Sequence, residues 1–173
     1  MTPEPAARNA PRRAAAKLGD VETIARLVAE WKRAGQRVVL ANGVFDLLHV
    51  GHVRYLAGAR ALGDRLVVAV NGDRSAHALK GEGRPVQGAE ERAGLVAALR
   101  GVDLVVRFEE TNVVALLEQL APDVHAKGTD YRVDTVPERA TMARLGGVTA
   151  IAGDAKRHAS GELYQRIRRG SDP

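Results

Sequence analysis

The segment Asn42-Gly43-Val44-Phe45-Asp46-Leu47-Leu48-His49-Val50-Gly51-His52 places two imidazoles three positions apart, with a glycine between them. On a helix that spacing puts both rings on one face. At a helix N-terminus their N–H groups would join free backbone donors and the positive end of the helix dipole, which together make a receptor for polyphosphate. Gly43 and Gly51 let the backbone approach a ligand closely. An isolated HxxH is more often a pair of surface or core histidines, so the weight of this one depends on its surroundings.

Three further stretches carry groups suited to phosphates and sugars. Val70-Asn71-Gly72-Asp73 is followed by a glycine-rich loop with Lys80 and Arg84, ahead of a helix containing Glu90, Glu91 and Arg92. Lys80 and Arg84 are candidates for holding substrate phosphates, although the same residues also suit a solvated loop. In Lys127-Gly128-Thr129-Asp130-Tyr131, Asp130 can accept from ribose hydroxyls or a base and Lys127 can reach an acceptor phosphate. In Gly153-Asp154-Ala155-Lys156-Arg157-His158-Ala159-Ser160, Ser160 can cap the last helix and Arg157 can meet phosphate. His77 and His125 stand apart from other metal-ligating residues, so no protein-built metal site is expected.

The elements that must position these groups follow a repeating pattern. A helix is expected from Val21, with Ile24, Leu27, Val28 and Trp31 at helical spacing, Asp20 as N-cap and Gly35 closing it. Apolar runs then alternate with amphipathic stretches: Val38–Ala41, then Gly51–Leu62; Leu66–Val70, then Ala89–Leu99; Leu104–Phe108, then Val113–Leu120; Asp123–Ala126, then Val136–Leu145; Val148–Ala152, then Ser160–Arg169. Short Val/Ile/Leu runs without polar alternation are strands buried on both faces, as in a parallel sheet covered by helices. The expected fold is α/β, a Rossmann-like doubly wound sheet of about five parallel strands with helices on both faces. Ligands of such sheets bind beyond the carboxyl ends of the strands, where the strand order reverses, and every stretch singled out above follows a strand.

Composition narrows the classes. The 173 residues fit one domain, expected over 17–173, behind an Ala/Pro/Arg-biased segment, 1–16, expected to be a disordered basic extension. No apolar run approaches a membrane span and no secretory leader is evident, so a cytoplasmic protein without membrane contact is expected. The absence of cysteine excludes disulfides, thiolate metal sites and a cysteine nucleophile. The net charge of +5 sits at the two ends, +3 in residues 1–17 and +3 in residues 157–169. With no basic excess between them and only six aromatic residues, nucleic acid is not an expected partner.

The string GxFDxxHxGH at 43–52, after a strand and before a helix, resembles the signature of the cytidylyltransferase-like superfamily of nucleotidyltransferases. The resemblance implies that His49 and His52 contact the triphosphate and stabilise a transition state in which an acceptor phosphate attacks the α-phosphorus and pyrophosphate leaves. It extends nucleotide contact to Asn42, Gly43, Val44, Phe45, Asp46, Gly51, Lys127, Gly128, Asp130, Arg157 and Ser160. It makes Lys80 catalytic beside the histidines, and it gives Asn71, Asp73, Lys80, Arg84 and Arg92 to the second substrate. Mg²⁺ is implied as companion of the triphosphate, held by phosphate oxygens and water. KGTDY at 127–131 and ALGDRLVVAVNGD at 61–73 resemble the adenylyltransferases of D-glycero-β-D-manno-heptose 1-phosphate, which use ATP and release ADP-heptose, a step towards lipopolysaccharide. Many members have an STT-type sequence where this chain has His158-Ala159-Ser160, a departure in the last loop. Homodimers are common in the superfamily, and a homodimer is expected.

Other readings stay in view. CTP with glycerol 3-phosphate or a related alcohol phosphate is compatible with much the same motifs, and a non-catalytic nucleotide sensor would keep the same pocket. A dinucleotide-dependent oxidoreductase lacks its GxGxxG after the first strand, and a P-loop kinase lacks GxxxxGK[ST].

Overall fold

A computed structural model describes residues 14–154 and 160–170 of the chain. Six parallel strands form one sheet: β1 (Leu18–Gly19), β2 (Val38–Gly43), β3 (Arg65–Asn71), β4 (Leu104–Phe108), β5 (Val124–Gly128) and β6 (Val148–Ala152), in the order β1-β4-β3-β2-β5-β6. Among the described residues seven helices accompany them: α1 (Val21–Arg33), α2 (Val50–Arg60), α3 (Asp73–Lys80), α4 (Ala89–Ala97), α5 (Val114–Leu120), α6 (Arg139–Arg144) and α7 (Ser160–Arg169). The α/β expectation holds. The strand beyond the expected five is β1, whose two residues pair with Val105 and Val106 at the sheet edge and are too few to leave an apolar run.

The strand side chains alternate between two cores, as burial on both faces requires. Val39, Ala41, Val68 and Val70 pack with Leu56 and Ala59 of α2 and Val96 of α4. Val38, Leu40, Val67 and Ala69 pack on the other face with Ile24 and Val28 of α1, Leu117 of α5 and Met142 of α6. Each fully buried leucine such as Leu40, Leu66 or Leu117 contributes about 1.5–3 kcal/mol by leaving water. Helix α1 starts as expected, with Asp20 Oδ1 accepting from Thr23 N at 2.7 Å, and ends at Gly35, whose φ of +76° suits glycine.

Two expected boundaries shift. Asp73–Lys80 forms α3 where a loop was expected, so Lys80 is the last residue of a helix. The Val136–Leu145 stretch is shortened to Arg139–Arg144 behind a 3₁₀ turn at Val133–Thr135. Of the segment expected to be disordered, residues 1–13 lie outside those described. At its end Lys17 N donates to Ala14 O at 3.0 Å, and Ala14 packs against the core.

The chain winds from β2 outward through β3 to β4, then returns to the other side of β2 with β5 and β6. The reversal falls between β2 and β5, paired through Val39–Val124, Leu40–His125 and Ala41–Ala126. Their carboxyl ends, Asn42-Gly43 and Lys127-Gly128, therefore open side by side into the crevice that such a topology creates.

Candidate active site

A cavity of about 580 Å³ occupies that crevice. Of the expected site residues, Asn42 to Asp46, His49, Gly51, His52, Asn71, Lys80, Lys127, Gly128 and Asp130 all line it. Arg157 lies outside the described residues, and Ser160 is described as the first residue of α7 only.

His49 and His52 form the N-terminus of α2. His49 is the N-cap, with Nδ1 accepting from Gly51 N at 3.1 Å, while His52 Nδ1 accepts from His49 N at 3.2 Å. The rings stack with centroids 3.9 Å apart, and Phe45 meets His52 edge-on at 5.4 Å. Because each Nδ1 accepts, each neutral ring carries its proton on Nε2. Burial first, then the charges of His49 and Lys80, push the His52 pKa down to about 4. His52 is thus a neutral hydrogen-bond donor at pH 7.

Between β2 and α2 the backbone makes a strained turn, with Phe45 and Leu47 both at φ 53°. The neighbours of Phe45 are pinned by residues behind the cavity. Arg92, fully buried, donates to Val44 O at 2.5 Å, Gln87 O at 2.9 Å and Asp73 Oδ1 at 2.8 Å. Asp46, also buried, accepts from Arg84 Nε at 2.5 Å and from the N–H groups of Val86 and Gln87. Burial alone would raise the Asp46 pKa, but these hydrogen bonds and the Arg84 charge outweigh it and hold the carboxyl below its ordinary value. Arg84 in turn lies 4.9 Å over the ring of Tyr164 in α7.

Asp73, Arg84 and Arg92, expected to bind the second substrate, are placed behind the cavity and hydrogen-bonded to the turn and its surroundings. None of the three lines the cavity, and the donors of Arg92 are spent on holding the turn. Asp46 lines the cavity, but its carboxylate is turned to the same structural work.

Across the cavity, Lys127 is buried, 3.6 Å from Glu138 Oε2 and 4.7 Å over the Tyr131 ring. Burial pulls its pKa down, and Glu138 pulls it back up. His125, wholly buried, meets Asn42 Oδ1 through Nε2 at 2.9 Å, and burial followed by the Lys127 charge drives its pKa to about 3.

Two lining residues, Arg54 and Tyr55, had escaped notice in the sequence, and Thr129, Gly153 and Asp154 stood in its motifs without a role. Tyr55 donates to Ala126 O at 2.8 Å, and burial holds its phenol well above the usual value. It follows His49 and His52 at three-residue steps on the same helix, a signal that was available. Arg54, Thr129, Gly153 and Asp154 form the rim: Arg54 pairs with Asp154 at 3.5 Å, and Thr129 Oγ1 donates to Asp154 O at 2.8 Å. Gly153, at φ +93°, lets α2 close on the end of β6. A Cβ at Gly58 would sit 2.7 Å from Gly153 N.

No group of three or more His, Asp or Glu side chains able to hold a metal ion occurs among the described residues. The donors lining the cavity include the cations Lys80 and Lys127 and the imidazoles of His49 and His52, which suit an anionic ligand. No helix among the described residues is long and apolar enough to cross a membrane.

Comparison with known proteins agrees with this geometry. The chain is similar to the bifunctional protein HldE of Koribacter versatilis, 43% identical over 88% of this chain and 32% of the relative. The HldE of Gluconobacter oxydans is 50% identical over 76% of this chain and 27% of its own length. The chain thus spans about a third of the length of the curated relatives it matches. Among solved structures, a lipopolysaccharide core biosynthesis protein from Thermoplasma volcanium is 31% identical, with a TM-score of 0.61, covering 72% of this chain and 100% of that one. Residues 40–157, which carry both walls of the cavity, match the cytidylyltransferase-like family, and the chain belongs to that family.

Proposed function

We propose that the chain is an adenylyltransferase that transfers AMP from ATP to D-glycero-β-D-manno-heptose 1-phosphate, giving ADP-heptose and pyrophosphate. The observation that carries the reaction type is the stacked pair His49–His52 at the N-terminus of α2, facing a cavity whose other walls hold Lys80 and Lys127. The choice of substrate is supported by the KGTDY segment, by the HldE relatives and by the likeness to a protein of lipopolysaccharide core biosynthesis.

An acceptor phosphate oxygen attacks the α-phosphorus, the bond from that phosphorus to the bridging oxygen of the β-phosphate breaks, and pyrophosphate leaves with the electron pair. No side-chain nucleophile is needed. Such a reaction asks for alignment and for charge stabilisation around the group in flight. The Nε2–H groups of His49 and His52, at the positive end of the α2 dipole, would receive oxygens of the triphosphate, and removing one such donor costs about a hundredfold in rate. Lys80, at the end of α3, and Lys127 would take the phosphate charges on the two sides. Asp130 and the 127–131 turn would hold the nucleoside. Mg²⁺ would arrive with the triphosphate and neutralise its oxygens. Arg92, Arg84 and Asp46 act on the reaction by holding the Val44–Asp46 turn in its strained form.

The test is pyrophosphate release with ATP or CTP, each offered against heptose 1-phosphate and glycerol 3-phosphate. Turnover with ATP and heptose 1-phosphate is expected. Turnover with CTP alone would reassign the base, and binding of nucleotide without turnover on any pair would favour a sensor.

A further inference from the structure

Glu138 was not singled out in the sequence, and it does not line the cavity, yet it is 5% exposed and its Oε2 makes no hydrogen bond among the described residues. Its described partner is the ammonium of Lys127 at 3.6 Å, itself 7% exposed and open to the cavity on its other side. A buried ion pair is a poor source of stability, since apolar residues of similar size serve as well or better. A carboxylate kept dry and under-bonded beside one lysine therefore needs another reason. At 3.6 Å the ammonium is beyond a charge-assisted hydrogen bond of about 2.7–2.9 Å, so its protons are not committed to the carboxylate. The Tyr131 ring, 4.7 Å away, meets a further side of the ammonium with its face.

We propose that Glu138 is a positioning residue, a buried counter-charge that keeps Lys127 protonated and aimed at the phosphates in the cavity. This rests on the nucleotidyl-transfer reading. Glu138 is the carboxylate paired with Lys127, while Asp130 and Asp154 line the cavity into which the ammonium opens. His125, two residues back on β5, is kept neutral by burial, Tyr55 keeps its phenol proton, the Tyr131 ring packs on the ammonium, and β2 contributes the uncharged Asn42. Burial acts against the lysine charge and Glu138 offsets part of that penalty. When a phosphate enters, Lys127 has anions on both sides and turns its free protons to the ligand.

The experiment follows kcat/KM for pyrophosphate release, and ATP affinity by calorimetry, across pH 6 to 10 for wild type, Glu138→Gln, Lys127→Arg and the double variant. In Glu138→Gln the alkaline limb of both profiles should move down by about one pH unit, the scale of an opposite charge within a few ångströms. In the Lys127→Arg background, where the guanidinium stays charged, the same substitution should leave the limb in place. Superimposed wild-type and Glu138→Gln profiles, or an equal shift in both backgrounds, would overturn the inference. If Glu138→Gln does not fold, Glu138→Asp, which withdraws the carboxylate by one methylene, carries the test: its limb must also fall, and superposition on wild type sinks the idea. A wild type that binds ATP but turns over no pair refutes the functional reading instead, while its affinity profiles still decide the role of Glu138.

Discussion

His49 caps α2 through Nδ1, and in the proposed reaction its Nε2–H would also serve the ligand. Substitution by alanine removes both and confuses them, since losing a cap costs about 0.5–2 kcal/mol in stability. His49→Asn separates them, because asparagine is a strong N-cap whose short side chain does not reach where Nε2 points. We expect this variant to melt within a few degrees of wild type while turnover falls by about a hundredfold. Turnover within a factor of two of wild type would remove the histidine from the reaction. The sequence made this residue legible because its motif is contiguous. The structural bonds of Arg92 were hidden for the opposite reason: its partners Val44 and Asp73 lie on other segments, and nothing local says that a guanidinium is buried. Glu138 escaped for the same cause, since it precedes α6 while the lysine it faces is on β5.

At the scale of elements, α2 must sit close to the end of β6 for its N-terminus to face the cavity, and Gly58 and Gly153 make that approach possible. In an ordinary helix, Gly→Ala would gain about 1 kcal/mol. Here the added methyl meets a backbone nitrogen at 2.7 Å, which cannot rotate aside, so the helix must shift. Overpacking of this kind costs about 1–3 kcal/mol, which outweighs the propensity gain. Gly58→Ala is therefore expected to lower stability slightly and turnover by about tenfold or more, since a displacement of about 1 Å suffices to misalign a reaction. A variant with full activity would show that the position of α2 is not critical. Most elements were readable from apolar periodicity. Strand β1 was not, because two residues have no period, and α3 was hidden because Asp73–Lys80 is largely exposed and carries little apolar pattern.

For the molecule as a whole, two imidazoles are kept neutral by burial, His52 with a pKa of about 4 and His125 of about 3. Both would titrate near 6.5 in the unfolded chain, which therefore binds more protons than the native state below that pH. Stability should be at its full value above about pH 6.5 and fall as the pH drops, by up to about 1.4 kcal/mol per pH unit for each ring. Asp46 and Asp73, whose pKa values are lowered from 3.8, add their own loss only at still lower pH. Denaturant midpoints at pH 7.5 and pH 5 check this, and equal midpoints would contradict the burial of these rings. The reversal of strand order between β2 and β5 has a consequence for how the protein comes into being. Two strands and four helices separate those strands along the chain, so a nascent polypeptide displays the histidine wall long before the lysine wall exists to face it. Nucleotide cannot template this domain during synthesis. It can only lock the finished article, and its protection in hydrogen exchange should appear in the opening of the entire sheet rather than in any fragment of it.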